Sequence, residues 1–153
     1  MKIGDFDISQ NRTFIIAEIG NNHNGDFDRA KTLVLAAIEA GATAVKLQTY
    51  TAETMTLDLE KPEFRISDDH PLWGGAKLFT LYEQAHTPWE WQAALFDLCR
   101  QNNVIPFSSP FDATAVDFLE NLDAPMYKIA SMETSDHPLI RRVAETGKPL
   151  IIS

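Results

Sequence analysis

Five short apolar runs, each ending in polar residues, constrain the fold of this chain more than any other feature. They are FIIAE (14–18), AVKLQ (44–48), VIPFSS (104–109), MYKIAS (126–131) and PLIIS (149–153). The stretches between them have helical periodicity, and strands that alternate with helices favour βα units and a parallel sheet. The carboxyl ends of parallel strands share one rim, which is where (β/α)₈ barrels place their active sites. The pattern therefore predicts an α/β fold with a polar site at that rim.

The length fits part of a barrel better than a whole one. The chain has 153 residues, whereas a full (β/α)₈ barrel takes about 250. Five strands and four helices would need roughly five-eighths of that length. We therefore expect residues 1–153 to be the amino-terminal part of a single TIM-barrel catalytic domain. Such a half-barrel would expose two sheet edges unless another segment or chain covers them.

The charge balance excludes one class of partner. The chain has 13 basic and 22 acidic residues, a net charge of −9, whereas nucleic-acid binding needs a basic face. The amino terminus lacks the apolar stretch of a signal peptide. No apolar run approaches the roughly 18 residues that span a bilayer. The expectation is a soluble cytoplasmic protein without nucleic-acid or membrane partners, whose one cysteine, Cys99, is a buried thiol.

Local signals predict the elements that flank these strands. Residues 1–10 are expected to form a short hairpin or irregular strand that covers the bottom of the barrel. Asp26 or Asp28 can cap a helix over 28–41 that ends at Gly41. The inward face of this helix is predicted to consist of Leu33, Ala36, Ala37 and Ala40.

Two features are predicted between the second and third strands. Residues 50–75 form the longest irregular stretch, which is expected on the active-site rim, and loops of that length inside a compact domain are usually functional or partly disordered. Thr87-Pro88-Trp89-Glu90 has the pattern of a capping box with proline at the first helical position. This pattern predicts the start of the next long helix.

The strand ends carry the residues best suited to chemistry. Lys46 and Gln48 share one face of their strand, and buried lysines are costly unless they are paired or bind a charged group. The lysines could bind a phosphate or carboxylate; alternatively, Glu18 could form a buried salt bridge with Lys46 or Lys128 that only fixes the strand register. Stability does not require polar groups at the same end of every strand, so the whole set favours a ligand site: Glu18, Lys46, Gln48, Ser108, Ser109, Lys128 and Ser131.

Other candidates are less specific. His23, in the loop NNHNG, could be a catalytic base, a donor to substrate or a residue that stabilises the loop. Surface roles are expected for His70, His86 and His137. No His-x-x-x-His or Cys-x-x-Cys spacing indicates a complete metal site, and no glycine-rich phosphate-binding motif indicates a nucleotide.

Taken in order, five motifs resemble those of the sialic acid synthase family. They are IIAEIGNNHNG, VKLQTY, FSSPFD, YKIAS and GKPLIIS. That family condenses phosphoenolpyruvate with an N-acetylated amino sugar and releases phosphate. The LW dipeptide together with LYEQAHTPWEW is most similar to the pseudaminic acid synthase branch, whose acceptor is a 6-deoxy-2,4-diacetamido hexose. The N-acetylneuraminate and legionaminate synthases are close alternatives.

The resemblance implies roles for particular positions. Phosphoenolpyruvate-binding residues of the family fall on Lys46, Ser109, Lys128, Ser131 and Ser153. Glu18 matches a glutamate near the sugar and the reacting carbons, Gln48 and Glu133 match ligand contacts, and His23 lies in the family's Asn-x-His-x-Gly loop. Glu18 and His23 are accordingly the candidate catalytic residues.

The resemblance also implies features outside these residues. They are a divalent metal, manganese or magnesium, whose ligands lie on later strands, a carboxyl-terminal antifreeze-like domain, and a homodimer. By itself this segment would then be inactive. Two other hypotheses remain open, namely a Schiff-base barrel aldolase with Lys128 as nucleophile and a non-catalytic truncated half-barrel.

Overall fold

The computed structural model describes residues 2–8 and 13–153 of the chain. The strands are β1 (Lys2–Ile3), β2 (Phe6–Asp7), β3 (Ile16–Glu18), β4 (Ala44–Thr49), β5 (Ile105–Pro110), β6 (Tyr127–Ile129) and β7 (Leu150–Ile152). The helices are α1 (Phe27–Glu39), α2 (Ala52–Met55), α3 (Leu78–Ala85), α4 (Trp89–Gln101), α5 (Ala113–Asn121) and α6 (His137–Ala144). Short 3₁₀ turns cover Pro62–Phe64 and Ser131–Ser135.

The five predicted strands form one parallel sheet in chain order, β3-β4-β5-β6-β7. Helices connect each strand to the next, so the sheet is an arc of a barrel, with β3 and β7 at its two edges. The register pairs Glu18 with Lys46 and Gln48 with Ser109. The predicted half of a (β/α)₈ barrel is therefore confirmed.

Apolar side chains pack on both faces of this sheet. On the outer face, Val45, Leu47 and Tyr127 join the core beneath the helices. On the inner face, Ala44, Phe107 and Met126 form a second cluster with Ile3, and Ile16 and Ile151 pack against it. This arrangement follows from the two-residue period of a strand. The inner face is thus apolar at the amino end of the sheet.

The predicted hairpin at the amino terminus is present over its described part. β1 and β2 pair antiparallel, and Ile3 inserts into the inner cluster. Gly4 lies beside the Ile105 side chain, at the start of β5. The hairpin therefore covers the amino-terminal rim, while residues 1, 9 and 10 of the prediction lie outside the described residues.

Helix α1 lies within two residues of its predicted bounds, and half of its predicted inward face is confirmed, because Leu33 and Ala37 pack against the core. The Asp26 side chain accepts a hydrogen bond from the Arg29 amide at 2.9 Å, and Gly41 ends the helix in the left-handed region, at φ +85°. Ala30 and Val34 are fully buried, whereas Ala36 and Ala40 are exposed. The prediction for Ala36 and Ala40 was wrong because the buried stripe begins at Phe27 and continues through positions 30, 34 and 37.

The stretch 50–75 is more ordered than predicted. It contains α2 and the Pro62–Phe64 turn, and an isolated bridge pairs Arg65 with Lys77. Lys77 forms ion pairs with Asp58 and, at 2.8 Å, with Glu60. These contacts hold the middle of the segment against Lys77, the residue that precedes α3.

Two expectations from the sequence were that Cys99 is buried and that no segment is apolar and long enough to span a membrane. Cys99 is buried in α4, and burial raises the pKa of its thiol to about 12. Across residues 2–8 and 13–153, no helix has the length and apolar character needed to cross a bilayer.

Candidate active site

Each polar strand end follows an inner-face residue by two positions. Ile16, Ala44, Phe107, Met126 and Ile151 form or flank the inner cluster. Two residues later on each strand come Glu18, Lys46, Ser109, Lys128 and Ser153. Because side chains alternate with a period of two, these groups share the inner face at the carboxyl-terminal rim. With Gln48, two residues beyond Lys46, they are called here the strand-end cluster.

Lys46 is the most enclosed charge of the cluster. It is 8% exposed, and its Nζ lies 3.3 Å from Glu18 Oε2. Charge-assisted hydrogen bonds are usually 2.7–2.9 Å long, and the Glu18 side chain is itself 66% exposed. The Glu18–Lys46 salt bridge considered from the sequence is thus present, but its N–O distance is long, and only the lysine is buried.

Lys128 has neutral partners. Its Nζ donates to the Ile129 carbonyl at 2.7 Å and to the Ser153 hydroxyl. Burial and the neighbouring positive charge of Lys46 lower the pKa of Lys128, whereas Glu18 and Glu133 oppose that shift. Two lysines that repel each other on one inner face would be stabilised by a shared anion.

Two buried polar atoms close to the lysines have no hydrogen-bond partner among the described residues. They are Ser109 Oγ and Glu133 Oε2. A buried polar atom left unpaired costs about 1–3 kcal/mol, which a ligand could recover. Burial, aided by Asp136, raises the pKa of the Glu133 carboxyl. The protonated form of Glu133, which can donate a hydrogen bond, is thus easier to populate than that of an exposed glutamate.

Ser108 does not belong to the site, contrary to the prediction. Its hydroxyl lies 2.7 Å from Thr49 Oγ1, which donates to Gln92 Oε1 on α4 at 2.8 Å. This network lies on the outer face, because Ser108 has the opposite orientation to Ser109. Ser131 is exposed on the carboxyl-terminal rim, at the start of the turn that carries Glu133.

His23 adopts the loop-stabilising arrangement among its three possible roles. It is 1% exposed, and its Nδ1 accepts a hydrogen bond from the Gly25 amide at 3.1 Å. Nε2 must then carry the proton, and it donates to Thr87 Oγ1 at 3.0 Å. Burial, with a smaller effect of His86, lowers the pKa of His23. A neutral His23 therefore ties the loop after β3 to the start of α4.

The same contact explains why the predicted capping box is wrong. Helix α4 begins at Trp89 with Pro88 as its N-cap, and no side chain caps it. The Thr87 hydroxyl, which the pattern assigned to the cap, is buried against His23. A tertiary hydrogen bond has replaced the local one.

We expect Thr87→Val to lower the free energy of unfolding of this chain by about 1–3 kcal/mol, because it leaves the buried His23 Nε2–H without an acceptor. Thr87→Ser keeps the hydroxyl and is the matched control. Urea denaturation of the three proteins at pH 7.5 measures the difference. A loss in the valine variant no larger than that in the serine variant, which keeps the hydroxyl, would contradict a contribution from the hydrogen bond.

Sequence reasoning missed a second polar contact on this rim. Asn21 Nδ2 donates to the Tyr50 hydroxyl at 3.2 Å, and Asn21 Oδ1 is buried without a partner among the described residues. Burial raises the pKa of Tyr50 to about 12, so its hydroxyl stays protonated. The sequence signal that could have identified them is their position, since Asn21 follows the end of β3 at Glu18 and Tyr50 follows the end of β4 at Thr49.

In the part of the chain that the structure describes, neither the opposite rim nor a metal cluster offers a second set of converging lysines and hydroxyls. A cleft of about 620 Å³ lies beside the hairpin, and its lining includes Asp5, Thr43 and Arg100 but no strand-end residue. Within the described ranges, no group of three or more His, Cys, Asp or Glu side chains could hold a metal ion.

The sequence of this chain matches the model of a known protein family. The model of the NeuB family matches residues 33–153. Pseudaminic acid synthase of Campylobacter jejuni is 42% identical over 153 residues, which are 100% of this chain and 44% of that protein. Pseudaminic acid synthase of Helicobacter pylori is 48% identical over 139 residues, 91% of this chain and 40% of that protein. The chain thus spans less than half the length of these relatives.

A solved structure supports the same grouping. N-acetylneuraminic acid (sialic acid) synthetase from Leptospira borgpetersenii, crystallised with citrate, superposes with a TM-score of 0.76 at 27% identity. The match covers 93% of this chain and 44% of that chain. The half-barrel described above is therefore the arrangement found in part of that enzyme.

Proposed function

Because this chain belongs to the NeuB family, we propose that it is the amino-terminal part of the catalytic barrel of a nonulosonic acid synthase. The reaction condenses phosphoenolpyruvate with an N-acetylated amino sugar and releases phosphate. One observation carries the proposal, namely that Lys46 and Lys128 share the inner face, and among the described residues Glu18 is the carboxylate that forms an ion pair with Lys46. The pseudaminic acid synthases among the relatives favour a 6-deoxy-2,4-diacetamido hexose as acceptor.

The cluster suits phosphoenolpyruvate in charge and in hydrogen bonding. A phosphate monoester carries a charge of about −1.5 to −2, and the carboxylate adds another negative charge. Lys46 and Lys128 would bind these two groups, and Ser109, Ser131 and Ser153 would donate hydroxyl hydrogen bonds. Ser109 Oγ is buried without a partner among the described residues, as expected for a donor directed at a ligand.

The chemistry needs no covalent bond to the protein. The π electrons of phosphoenolpyruvate form the new bond from C3 to the aldehyde carbon, and the aldehyde oxygen takes up a proton. Water adds at C2 and loses one proton, and when the C2–O bond to phosphate breaks, the proton of the remaining C2 hydroxyl passes to the departing phosphate, leaving a ketone at C2. The lysines would stabilise the departing phosphate. Glu18 would orient the sugar or the water and move a proton, while Gln48 and Glu133 would contact the ligands.

A divalent metal, manganese or magnesium, is implied by the resemblance, with ligands expected on later strands. The described residues lack a suitable ligand cluster, so we assign no step to the metal. His23 is proposed to act indirectly, by fixing the loop after Glu18. The homodimer, the additional carboxyl-terminal domain and the cytoplasmic location belong to the proposal for the whole protein.

A phosphate-release assay tests this function in the full-length polypeptide that carries the segment. We expect ³¹P NMR to show phosphate release from phosphoenolpyruvate only when an N-acetylated amino sugar is present. A parallel sample is treated with borohydride, because the lowered pKa of Lys128 also suits a Schiff-base aldolase. Sugar-dependent phosphate release without a lysine adduct supports the synthase. A borohydride-trapped pyruvate or sugar adduct on Lys128 would support the aldolase instead.

The affinity for phosphoenolpyruvate should fall at alkaline pH. Lys128 binds an anion only while protonated, and its pKa lies below 10.5 because of burial and Lys46. The KM for phosphoenolpyruvate is therefore expected to rise as the pH increases through that lowered pKa. Lys128→Arg keeps its charge over this range, so its profile should lack the rise. If the KM of the arginine variant rises in the same way at alkaline pH, a group other than Lys128 causes the rise.

A further inference from the structure

A cleft on the carboxyl-terminal rim is lined by the loop that follows Glu18 and by α3, and it shares no residue with the strand-end cluster. Its volume is about 470 Å³. Its polar lining consists of four amide side chains, and aromatic rings form much of the rest: Asn21, Asn22, Asn24, Gln84, Trp73 and Tyr82. Asn21 follows Glu18 by three residues, a span of at most about 11 Å. The cleft is thus within reach of an elongated ligand whose reactive end lies at Glu18.

We propose that this amide–aromatic cleft binds the acetamido group at position 4 of the acceptor sugar, away from the reacting aldehyde carbon, and selects for it. The inference rests on the proposed function, since it assumes that the sugar aldehyde lies beside Glu18. The acetamido group at position 2 then stays close to the strand-end cluster. The group at position 4 lies further along the sugar, toward the cleft.

The chemistry of the lining favours a neutral amide over an anion. No residue that lines the cleft is charged, so a phosphate or carboxylate would find no counter-ion there. An acetamido group presents one N–H donor, one carbonyl acceptor and one methyl group. Asparagine and glutamine side chains can satisfy the first two, and the rings of Trp73 and Tyr82 offer apolar surface to the methyl group.

A buried atom supplies a second, independent observation. Asn21 Oδ1 has no hydrogen-bond partner among the described residues, while Nδ2 is engaged with the Tyr50 hydroxyl. Leaving such an acceptor unpaired costs about 1–3 kcal/mol. A small shift of the Asn21 side chain would let an amide N–H of the ligand recover this energy.

The cleft is held in place by the surrounding structure. The Trp73 indole stacks on His70 at a centroid distance of 5.2 Å, and the Tyr82 ring packs edge-on against Tyr50 at 5.9 Å. Arg65 Nη1 donates to the Gly75 carbonyl at 2.9 Å, close to Trp73 in the chain. A preformed cleft loses little entropy on binding.

The same residues carry the part of the sequence that most resembles one branch of the family. Trp73 belongs to the LW dipeptide, and Tyr82 and Gln84 belong to LYEQAHTPWEW. These residues, which come from two separate stretches of the chain, therefore line one cleft together.

The test compares two probes in the full-length polypeptide. They are a 2,4-diacetamido-2,4,6-trideoxyhexose and its 2-acetamido-4-hydroxy analogue. Binding is measured by saturation-transfer NMR on the acetamido methyl protons, and turnover by phosphate release. We expect Trp73→Ala to weaken the diacetamido sugar about tenfold, which corresponds to about 1.4 kcal/mol, and to change the analogue less than about twofold. Leu57→Ala, in the same stretch and 62% exposed, is the matched control and should change neither.

The outcomes separate this inference from the proposed function. Equal effects of Trp73→Ala on both sugars, or no effect, would overturn the assignment of the cleft even if phosphate release is normal. Gln84→Ala, at an exposed position of α3, gives a second variant that leaves the core intact and should show the same selectivity. Selective sugar binding without any phosphate release would instead contradict the synthase reaction and retain the cleft.

Discussion

Lys46→Met is expected to lower kcat/KM for phosphoenolpyruvate by about 10²–10³-fold in the full-length polypeptide. Removing one partner of a buried, hydrogen-bonded charge pair costs about 2–5 kcal/mol, and each 1.4 kcal/mol is a factor of ten. Lys46 is 8% exposed, so bulk water cannot replace its ammonium group at the ligand. Methionine keeps the length and apolar character of the side chain, and the loss therefore reports the charge.

Lys31→Met is the matched control for this substitution. Lys31 lies on α1, its side chain is 42% exposed, and its ion-pair partner is Asp28 at 2.6 Å. This variant should keep the wild-type kcat/KM within about twofold, because exposed ion pairs contribute about 0–1 kcal/mol. Steady-state phosphate release measures both variants. A Lys46→Met enzyme with wild-type kinetics would refute the phosphate- or carboxylate-binding role of this lysine.

Glu18→Gln should lower kcat by about 10²–10³-fold while changing the KM for phosphoenolpyruvate little. Proton transfer by a positioned carboxylate contributes about 10²–10⁴-fold to rate, and glutamine keeps the size but cannot transfer the proton. Glu18 lies 3.3 Å from Lys46 Nζ, yet its exposure leaves it free to contact a sugar. Losing its negative charge also removes a competitor for the phosphoenolpyruvate anion, so binding of that substrate should not weaken.

The contrast between kcat and KM separates this role from a structural one. If Glu18 only fixed the strand register, glutamine would lower the free energy of unfolding and leave kcat of the folded enzyme unchanged. Glu39→Gln, at an exposed position near the end of α1, controls for the loss of one surface carboxylate. Urea denaturation alongside the kinetics distinguishes the two explanations.

Strand alternation allowed much of the fold and the cluster to be predicted from the sequence. The apolar runs identified β3 to β7 in order, and the two-residue period placed Lys46 and Gln48 on one face. The same period places Ser108 and Ser109 on opposite faces of β5. It does not say which of the two faces inward, because that depends on the register with the neighbouring strands.

The predictions that failed depended on contacts between distant parts of the chain. Thr87 has the sequence signature of a helix cap, but its hydroxyl bonds to His23, which lies 64 positions away. Ala36 and Ala40 fit a helical stripe, but the packing of α1 favours the stripe through Ala30 and Val34. In both cases a local pattern had two solutions, and tertiary packing selected between them.

A crystal structure of the full-length polypeptide with phosphoenolpyruvate tests the central claim most directly. The account predicts that phosphate and carboxylate oxygens lie about 2.7–2.9 Å from the Nζ atoms of Lys46 and Lys128, with Ser109 Oγ hydrogen-bonded to the ligand. Phosphoenolpyruvate bound away from both lysines, for example in the cleft beside the amino-terminal hairpin, would contradict it.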